Sequence, residues 1–427
     1  MNSLLVTVRR YIASSINFIE RHIRTDVKYL AKGGLWLLTG HGVSMVSSFL
    51  LAIVFANLVP SHIYGTYKYV LAGAGILTAF TLPGINTYLA QAVSRGKDRS
   101  VLLGIRLRIT WGVVAAVIAL GVALYYFFNQ NTELAFAFGI VAIFLPFFDA
   151  FGLYNVYLQG KQQFRISISY FSITQIVSTI CIVGAAAFSQ NIFIILLAYF
   201  VPIATLRFWF LLQTLRKYPP TGPADSATSS YGKHLSLINI PGQIASYLDS
   251  ILLFHYLGPM QLAVYTFALA PIEQIRGVYK NITPLALPKL ANRSISEINT
   301  LLPWRMLLLS VIGAGIASIY IFIAPFAFSI LFPTYQDSVF ISQLLAGLIA
   351  LRLPGSFFAA VMQSRISVLP KSWLYWSVVP SSLFILLLLV LTPLYGVFGV
   401  IVSKYASNII AGVIGAVQWN ILSRRND

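Results

Sequence analysis

Charge is scarce in this chain: only 9% of its 427 residues are Asp, Glu, Lys or Arg, and only 11 are acidic. It holds a single cysteine, Cys181, inside an apolar run, which excludes a disulfide framework and a thiolate metal site. No Gly-x-x-x-x-Gly-Lys-Ser/Thr loop occurs, so ATP hydrolysis by this chain is not expected. Gly-x-Ser-x-Gly and His-Glu-x-x-His are missing as well. A cleavable signal peptide is not expected, because the first long apolar run starts near Gly34. What the chain has in quantity is hydrophobic side chains, 58% of the total, far outside the range of soluble domains. A spanning helix takes about 20 apolar residues, so the apolar runs consume most of the length and leave no room for a separate catalytic domain.

The Lys and Arg residues fall in patches at 1–33, 94–108, 159–166, 215–233, 284–304, 365–371 and the C-terminal tail. The segments between them, 59–66, 129–133, 189–190, 258–261, 331–337 and 392–395, contain none. Cationic loops resist translocation and stay cytoplasmic, so the alternation predicts twelve crossings with both termini inside. The expected class is an all-α polytopic membrane protein, and the topology points to a transporter in the cell (inner) membrane. The spans read 34–58, 67–93, 108–128, 134–158, 167–188, 191–214, 233–257, 262–283, 305–330, 338–364, 372–391 and 396–421. The net charge of +18 is explained by the same loops, which meet anionic lipid, and nucleic acid is not an expected partner.

Residues 1–33 carry an apolar stripe (Leu5, Val8, Ile12, Ile16, Ile19, Ile23, Val27, Leu30) with Arg9, Arg10, Arg21 and Arg24 off it, the pattern of an interfacial amphipathic helix. Residues 34–217 and 233–421 form two six-helix halves, and 422–427 a short tail. The Pro-, Gly- and Ser-rich stretch 218–232 reads as a flexible cytoplasmic linker between them. The halves echo each other. Leu58-Val59-Pro60 with Tyr67 recurs as Leu257-Gly258-Pro259 with Tyr265, and Gln159-Gly160-Lys161 as Gln363-Ser364-Arg365. An even number of spans per half gives both the same orientation.

On these residues, and on Gly65-x-Tyr67 and Lys161…Phe164-Arg165, the chain resembles the Wzx-like polysaccharide flippases of the multidrug/oligosaccharidyl-lipid/polysaccharide (MOP) exporter superfamily. The second-half turn departs from the pattern, with Val264 and no Gly before Tyr265. The resemblance implies two six-helix lobes forming a V around a central cavity that opens to one side at a time. It also implies transfer of an undecaprenyl-pyrophosphate-linked oligosaccharide to the outer leaflet, for surface polysaccharides such as O-antigen, without enzymatic chemistry. Glycan polymerase and glycosyltransferases of the same pathway are the expected partners. No cofactor is expected beyond coupling to a proton or Na+ gradient. A cation-coupled multidrug exporter, a lipid II flippase and a membrane glycan polymerase are the competing readings.

Ionisable side chains inside spans cost about 2.5–3.5 kcal/mol each on insertion scales and turn towards protein or water. They are Asp149, Asp249, Glu273, Arg276, Lys280, Arg352 and Lys404; Arg207, Arg305 and Lys68, near span ends, are expected to snorkel. Steps of three and four put Glu273, Arg276 and Lys280 on one helix face, either as an internal Glu273–Arg276 salt bridge or as a cationic wall for pyrophosphate. Arg352 leads the candidate substrate-binding set, because guanidinium matches phosphate oxygens in pairs and stays charged at any depth. Arg276, Lys280 and Lys404 complete that set. Asp149 falls within one position of the place that Arg352 occupies in the second half, so the two are expected to pair across the cavity in one conformation and part in another. Asp249, Glu273 and His41 join Asp149 as gating or ion-coupling candidates, with His41 also readable as a packing histidine. Pro83, Pro146 and Pro354 are candidate hinges, since each removes a helical hydrogen bond.

Overall fold

A computed structural model describes residues 27–225, 227–279, 293–365 and 378–426, with 286, 290 and 376 standing singly between them. The interfacial stripe up to residue 26 and Lys280 lie outside the described residues. Every regular element described is helical. In lipid a helix is the segment that satisfies its own backbone polar groups. The first half comprises α1 (Val27–Leu58), α2 (Ser61–Leu77), α3 (Ile85–Ser94), α4 (Ser100–Phe128), α5 (Thr132–Phe151), α6 (Leu153–Gly160), α7 (Phe164–Phe188) and α8 (Ile192–Lys217). The second comprises α9 (Ala227–Tyr279), α10 (Ile295–Leu331), α11 (Ser338–Ala346), α12 (Leu348–Ser364) and α13 (Val378–Asn426).

Among the described residues nine helices are long and apolar enough to cross a membrane, ten if the bent pair Ser61–Thr81 and Ile85–Ser94 is one span. The 51° bend falls at Leu82-Pro83-Gly84, where Leu82 takes a left-handed φ of 59°. Pro83 therefore sits at a true break, whereas Pro146 and Pro354 lie inside the continuous helices α5 and α12. Two of the nine helices are themselves interrupted, α9 at Gly258 (φ 82°) and α13 at Gly396 (φ 56°). Positive φ is a conformation glycine adopts without steric cost. At the turns Asn131 and Asn191 cap α5 and α8 through their side-chain oxygens, and Ser294 caps α10. Large apolar side chains such as Phe128, Phe188, Phe322 and Leu394 point outward, as a hydrocarbon solvent permits.

The basic patches converge on one end. Lys161 pairs with Asp98, Arg165 lies over the Trp36 ring, and Arg365 donates to the Leu290 and Arg293 carbonyls. The segments without Lys or Arg converge on the far end, where Asn57 donates to the Leu331 carbonyl and Ser338 to that of Val264. The two ends are built differently. At the far end both halves contribute to one core, with Phe55, Tyr64 and Tyr67 from the first packed with Leu253, Phe267 and Tyr335 from the second. Tyr64 stacks on Phe267 with centroids 4.6 Å apart and Tyr69 on Phe254 at 3.9 Å. At the basic end each half keeps its own cluster, Ile85, Leu89, Leu153 and Tyr157 in the first and Ile298, Phe357, Trp419 and Leu422 in the second. Near that end the halves still touch along one seam, where α3 meets the start of α9: Gly84 lies against Leu235 and Ser236, and Ile85 against Gly232.

The linker differs from its expected flexibility. Tyr218 accepts a hydrogen bond from Tyr157, and Gly222 lies so close to the Gly96 carbonyl that a Cβ would sit 2.1 Å from it. Asp225 is buried, donates its N–H to Ser100 Oγ, accepts from Tyr88 and pairs with Lys97 at 2.9 Å. Proline and glycine here let an extended chain lie flat on a neighbouring loop, and α9 begins at Ala227, six residues earlier than the hydropathy suggests.

Candidate functional site

A cavity of about 880 Å3 lies between the halves, lined from α2, α5, α8, both arms of α9, α12 and both arms of α13. Its walls carry six of the seven charged residues expected inside spans: Asp149, Asp249, Glu273, Arg276, Arg352 and Lys404. The seventh, Lys280, lies outside the described residues. His41 is exposed on α1 and lines neither this cavity nor the larger one beside it.

The charges form three groups. In the first, Lys404 meets Asp249 at 2.7 Å, and both side chains are buried, 10% and 4% exposed. Asp249 also accepts from Tyr265 OH at 2.7 Å and from the Ser250 N–H. The Lys404 ammonium sits over the rings of Tyr265 and Phe384. Every strong acceptor direction of this carboxylate is taken, so the pair is a satisfied buried unit joining α9 to α13.

In the second group Glu273 is shared. Arg276 reaches it at 3.0 Å from the next helical turn and Arg352 at 3.4 Å from α12. One carboxylate between two guanidiniums leaves a surplus positive charge, and Arg276 is half exposed to the cavity. The internal Glu273–Arg276 bridge and a cationic wall therefore coexist. Arg352 does not meet Asp149 in this conformation, although both line the same space.

The third group surrounds Asp149, which accepts from Thr81 Oγ1 at 2.8 Å. Arg108 donates to the Asp149 carbonyl and Arg207 to that of Phe148, whose ring the Arg207 guanidinium covers at 4.4 Å. Arg207 thus turns inward, contrary to the snorkelling expected from its place near a helix end.

Lys68 also departs from expectation. It projects from α2 into the cavity beside the Tyr64 ring, 5.4 Å from its centroid, and among the described residues it has no carboxylate partner. Its sequence signal, one cation at the margin of an apolar run, measures distance from the span end and says nothing of which face is lipid. With Lys68 the wall holds four cations against three carboxylates. Arg108 and Arg207 behind it raise the excess. Gln243, Ser246, Ser407 and Asn408 supply neutral hydrogen-bonding groups nearby. No group of three or more His, Cys, Asp or Glu side chains that could hold a metal ion occurs among the described residues.

Residues 30–291 match a protein family described as polysaccharide biosynthesis protein. No curated protein sequence matches the chain. Solved structures share the fold at low identity. A multidrug resistance MATE family transporter of the MOP superfamily, in its outward-facing conformation, superposes with a TM-score of 0.61 at 15% identity, over 93% of this chain and 96% of that one. The lipid II flippase MurJ in an inward closed conformation gives 0.63 at 11%, over 91% and 87%. A MOP superfamily transporter from Pyrococcus furiosus, described as having a binding pocket of reverse polarity, gives 0.57 at 14%, over 92% and 96%.

Proposed function

The chain belongs to the polysaccharide biosynthesis protein family within the MOP superfamily, and on that footing we propose that it flips a pyrophosphate-linked lipid oligosaccharide across the membrane by alternating access. The observation that carries the reading is the cation-rich cavity between two halves that, among the described residues, share a hydrophobic core at the far end. Treating the breaks at Gly258 and Gly396 as turns at the membrane surface divides the helices into twelve crossings, six in each half. The positive-inside rule then places the basic end and both termini in the cytoplasm. In that orientation the described conformation is sealed towards the outside, and the cavity is poised to take substrate from the inner leaflet. Undecaprenyl pyrophosphate is the proposed carrier, delivered by glycosyltransferases and passed on to a glycan polymerase for surface polysaccharide assembly.

The chemistry asks three things of the cavity. Pyrophosphate needs cations whose attraction exceeds what the wall carboxylates already absorb, and Arg276, Arg352 and Lys68 supply them. Sugar hydroxyls need neutral donors and acceptors, which Ser246, Ser407 and Asn408 present. Release on the far side needs the seal to part, which changes the spacing between charges on the two halves, Asp149 and Arg352 among them. A cation-coupled drug exporter would instead want an uncompensated carboxylate; here Lys404 neutralises Asp249, two guanidiniums share Glu273, and Arg108 and Arg207 flank Asp149 through the carbonyls of residues 149 and 148. Coupling to a proton or Na+ gradient is proposed as the energy source for resetting the empty carrier.

Two outcomes follow. Arg352→Ala leaves Glu273 paired with Arg276, so membrane insertion stays normal, while transport falls roughly ten- to hundredfold, the worth of a charge-assisted hydrogen bond. Arg424→Ala, at the tail, stays silent. The measurement is mass spectrometry of polyprenyl-pyrophosphate lipids from a deletion strain carrying each variant. One oligosaccharide-loaded species should accumulate with Arg352→Ala and with the empty strain. Unchanged lipids together with new sensitivity to cationic drugs would move the assignment to an exporter. Lys68→Met orphans no carboxylate, so its thermal stability should equal the parent's while its affinity for polyprenyl pyrophosphate drops about tenfold or more. Equal affinity would remove Lys68 from the site.

A further inference from the structure

Beside the charged cavity lies a second and larger one, about 1570 Å3, at the basic end of the second half. It exceeds the roughly 300–1,000 Å3 of an ordinary small-molecule pocket. Its walls are mainly apolar and come chiefly from α10, α12 and α13, with Met306, Phe358 and Trp419 prominent; Leu235 and Tyr279 of α9 and Thr87 and Gln91 of α3 complete them. In the first half, Ile85, Leu89, Leu153 and Tyr157 pack together at this level. The two cavities adjoin: Arg276, Arg352, Pro380, Asn408 and Ala411 line both. The guanidiniums therefore stand at the border between a polar chamber and an apolar one.

We propose that the larger cavity is the seat of the substrate's hydrocarbon chain, so that Arg276 and Arg352 hold the phosphate junction of a lipid whose sugars occupy the polar chamber. The assignment rests on the flippase reading and names where the other half of that substrate goes. A polyprenyl pyrophosphate carries its pyrophosphate charges where chain meets glycan, and the two guanidiniums that share the single Glu273 carboxylate stand where apolar meets polar. An unmatched order would strand either a charge among methylenes or a chain among carboxylates, and both are costly. Two glycines confirm that the space is open. A Cβ at Gly355 or Gly412 would meet nothing within 4 Å, whereas one at the neighbouring Gly415 would strike the Phe358 ring at 2.5 Å. Glycine at 355 and 412 is thus not demanded by helix packing, and larger side chains there would project into the cavity.

The test uses the full-length chain in phosphatidylethanolamine–phosphatidylglycerol vesicles with polyprenyl pyrophosphate bearing a diazirine near the tail end. Label should land on peptides covering 350–363 and 408–419, and excess unlabelled polyprenyl pyrophosphate should compete it where extra phosphatidylethanolamine does not. The double variant Gly355→Leu, Gly412→Leu should lose about tenfold of the competed label, equivalent to about 1.4 kcal/mol. Gly184→Leu on α7, also in open space, should lose none. Binding of geranyl pyrophosphate, whose short chain does not need the cavity, should survive in the double variant and so report that it is folded. Label competed equally by phosphatidylethanolamine, or undiminished in a folded double variant, overturns the seat and leaves the flippase reading standing. A parent chain giving no pyrophosphate-competed label at all overturns the flippase reading, and this inference with it.

Discussion

Gly65→Leu will pry open the sealed end. At this position even a Cβ would lie 1.9 Å from the Pro259 carbonyl oxygen and 2.5 Å from its carbon. These are backbone atoms, so no rotamer change relieves the clash, and α2 must move away from α9. The shift separates Tyr64 from Phe267 and Tyr69 from Phe254, the stacked pairs that close this end. Overpacking a fitted contact costs about 1–3 kcal/mol or more. Charged against one conformation only, that cost changes the ratio of closed to open by roughly five- to 150-fold. The single cysteine makes the measurement direct. In a Cys181→Ala background, Val59→Cys, buried in the seal, should resist a membrane-impermeant maleimide. Adding Gly65→Leu should speed its labelling at least about tenfold, whereas Gly42→Leu, whose Cβ meets nothing within 4 Å, should not. An unchanged rate with Gly65→Leu would mean that the Gly65–Pro259 contact does not close this end.

The second large effect is on stability. Lys404→Met should cost about 3–5 kcal/mol, because it leaves the Asp249 carboxylate buried without its cation. Thermal unfolding in detergent, followed by the loss of the monodisperse peak, should move sharply downward. Lys404→Met combined with Asp249→Leu should recover most of the loss, since an apolar pair of similar volume commonly replaces a buried ion pair at little cost. Tyr265 would then lose its acceptor, which keeps the recovery incomplete. A single variant as stable as the parent would show that water reaches Asp249 and solvates it. Lys68 and Lys404 thus make a pair of opposite cases, one lysine dispensable for folding and one essential to it, although both line the same cavity.

Sequence reading located the helices well because lipid imposes a one-dimensional rule: apolar length and alternating basic loops mark where the chain turns. It also picked out Leu58-Val59-Pro60 and Leu257-Gly258-Pro259 as echoes. That these turns press on each other in space, with Gly65 against Pro259, was not legible, because duplication fixes likeness and not contact. Six of the in-span charges line one cavity, since an intramembrane charge has few places to go. Their pairing was less accessible. Asp249 and Lys404 are 155 positions apart, with no periodicity to link them. Asp149 and Arg352, matched by the duplication, take other partners in this conformation. Lys68 and Arg207 turn inward against expectation for one reason: depth along a helix can be counted from its ends, but azimuth depends on neighbours. In the linker, Pro, Gly and Ser content reports freedom in the unfolded chain and does not foretell the contacts that Asp225 makes with Ser100, Tyr88 and Lys97.

The common core at the far end also bears on how the molecule is made. A ribosome adding roughly 5–20 residues per second delivers Phe267 some 10–40 s after Tyr64. For that interval the first half waits in the bilayer with Tyr64, Gly65 and Tyr69 lacking the rings and backbone that will cover them. The nascent half-protein is thus a species with its own lifetime, exposed to whatever in the membrane shields an unfinished surface.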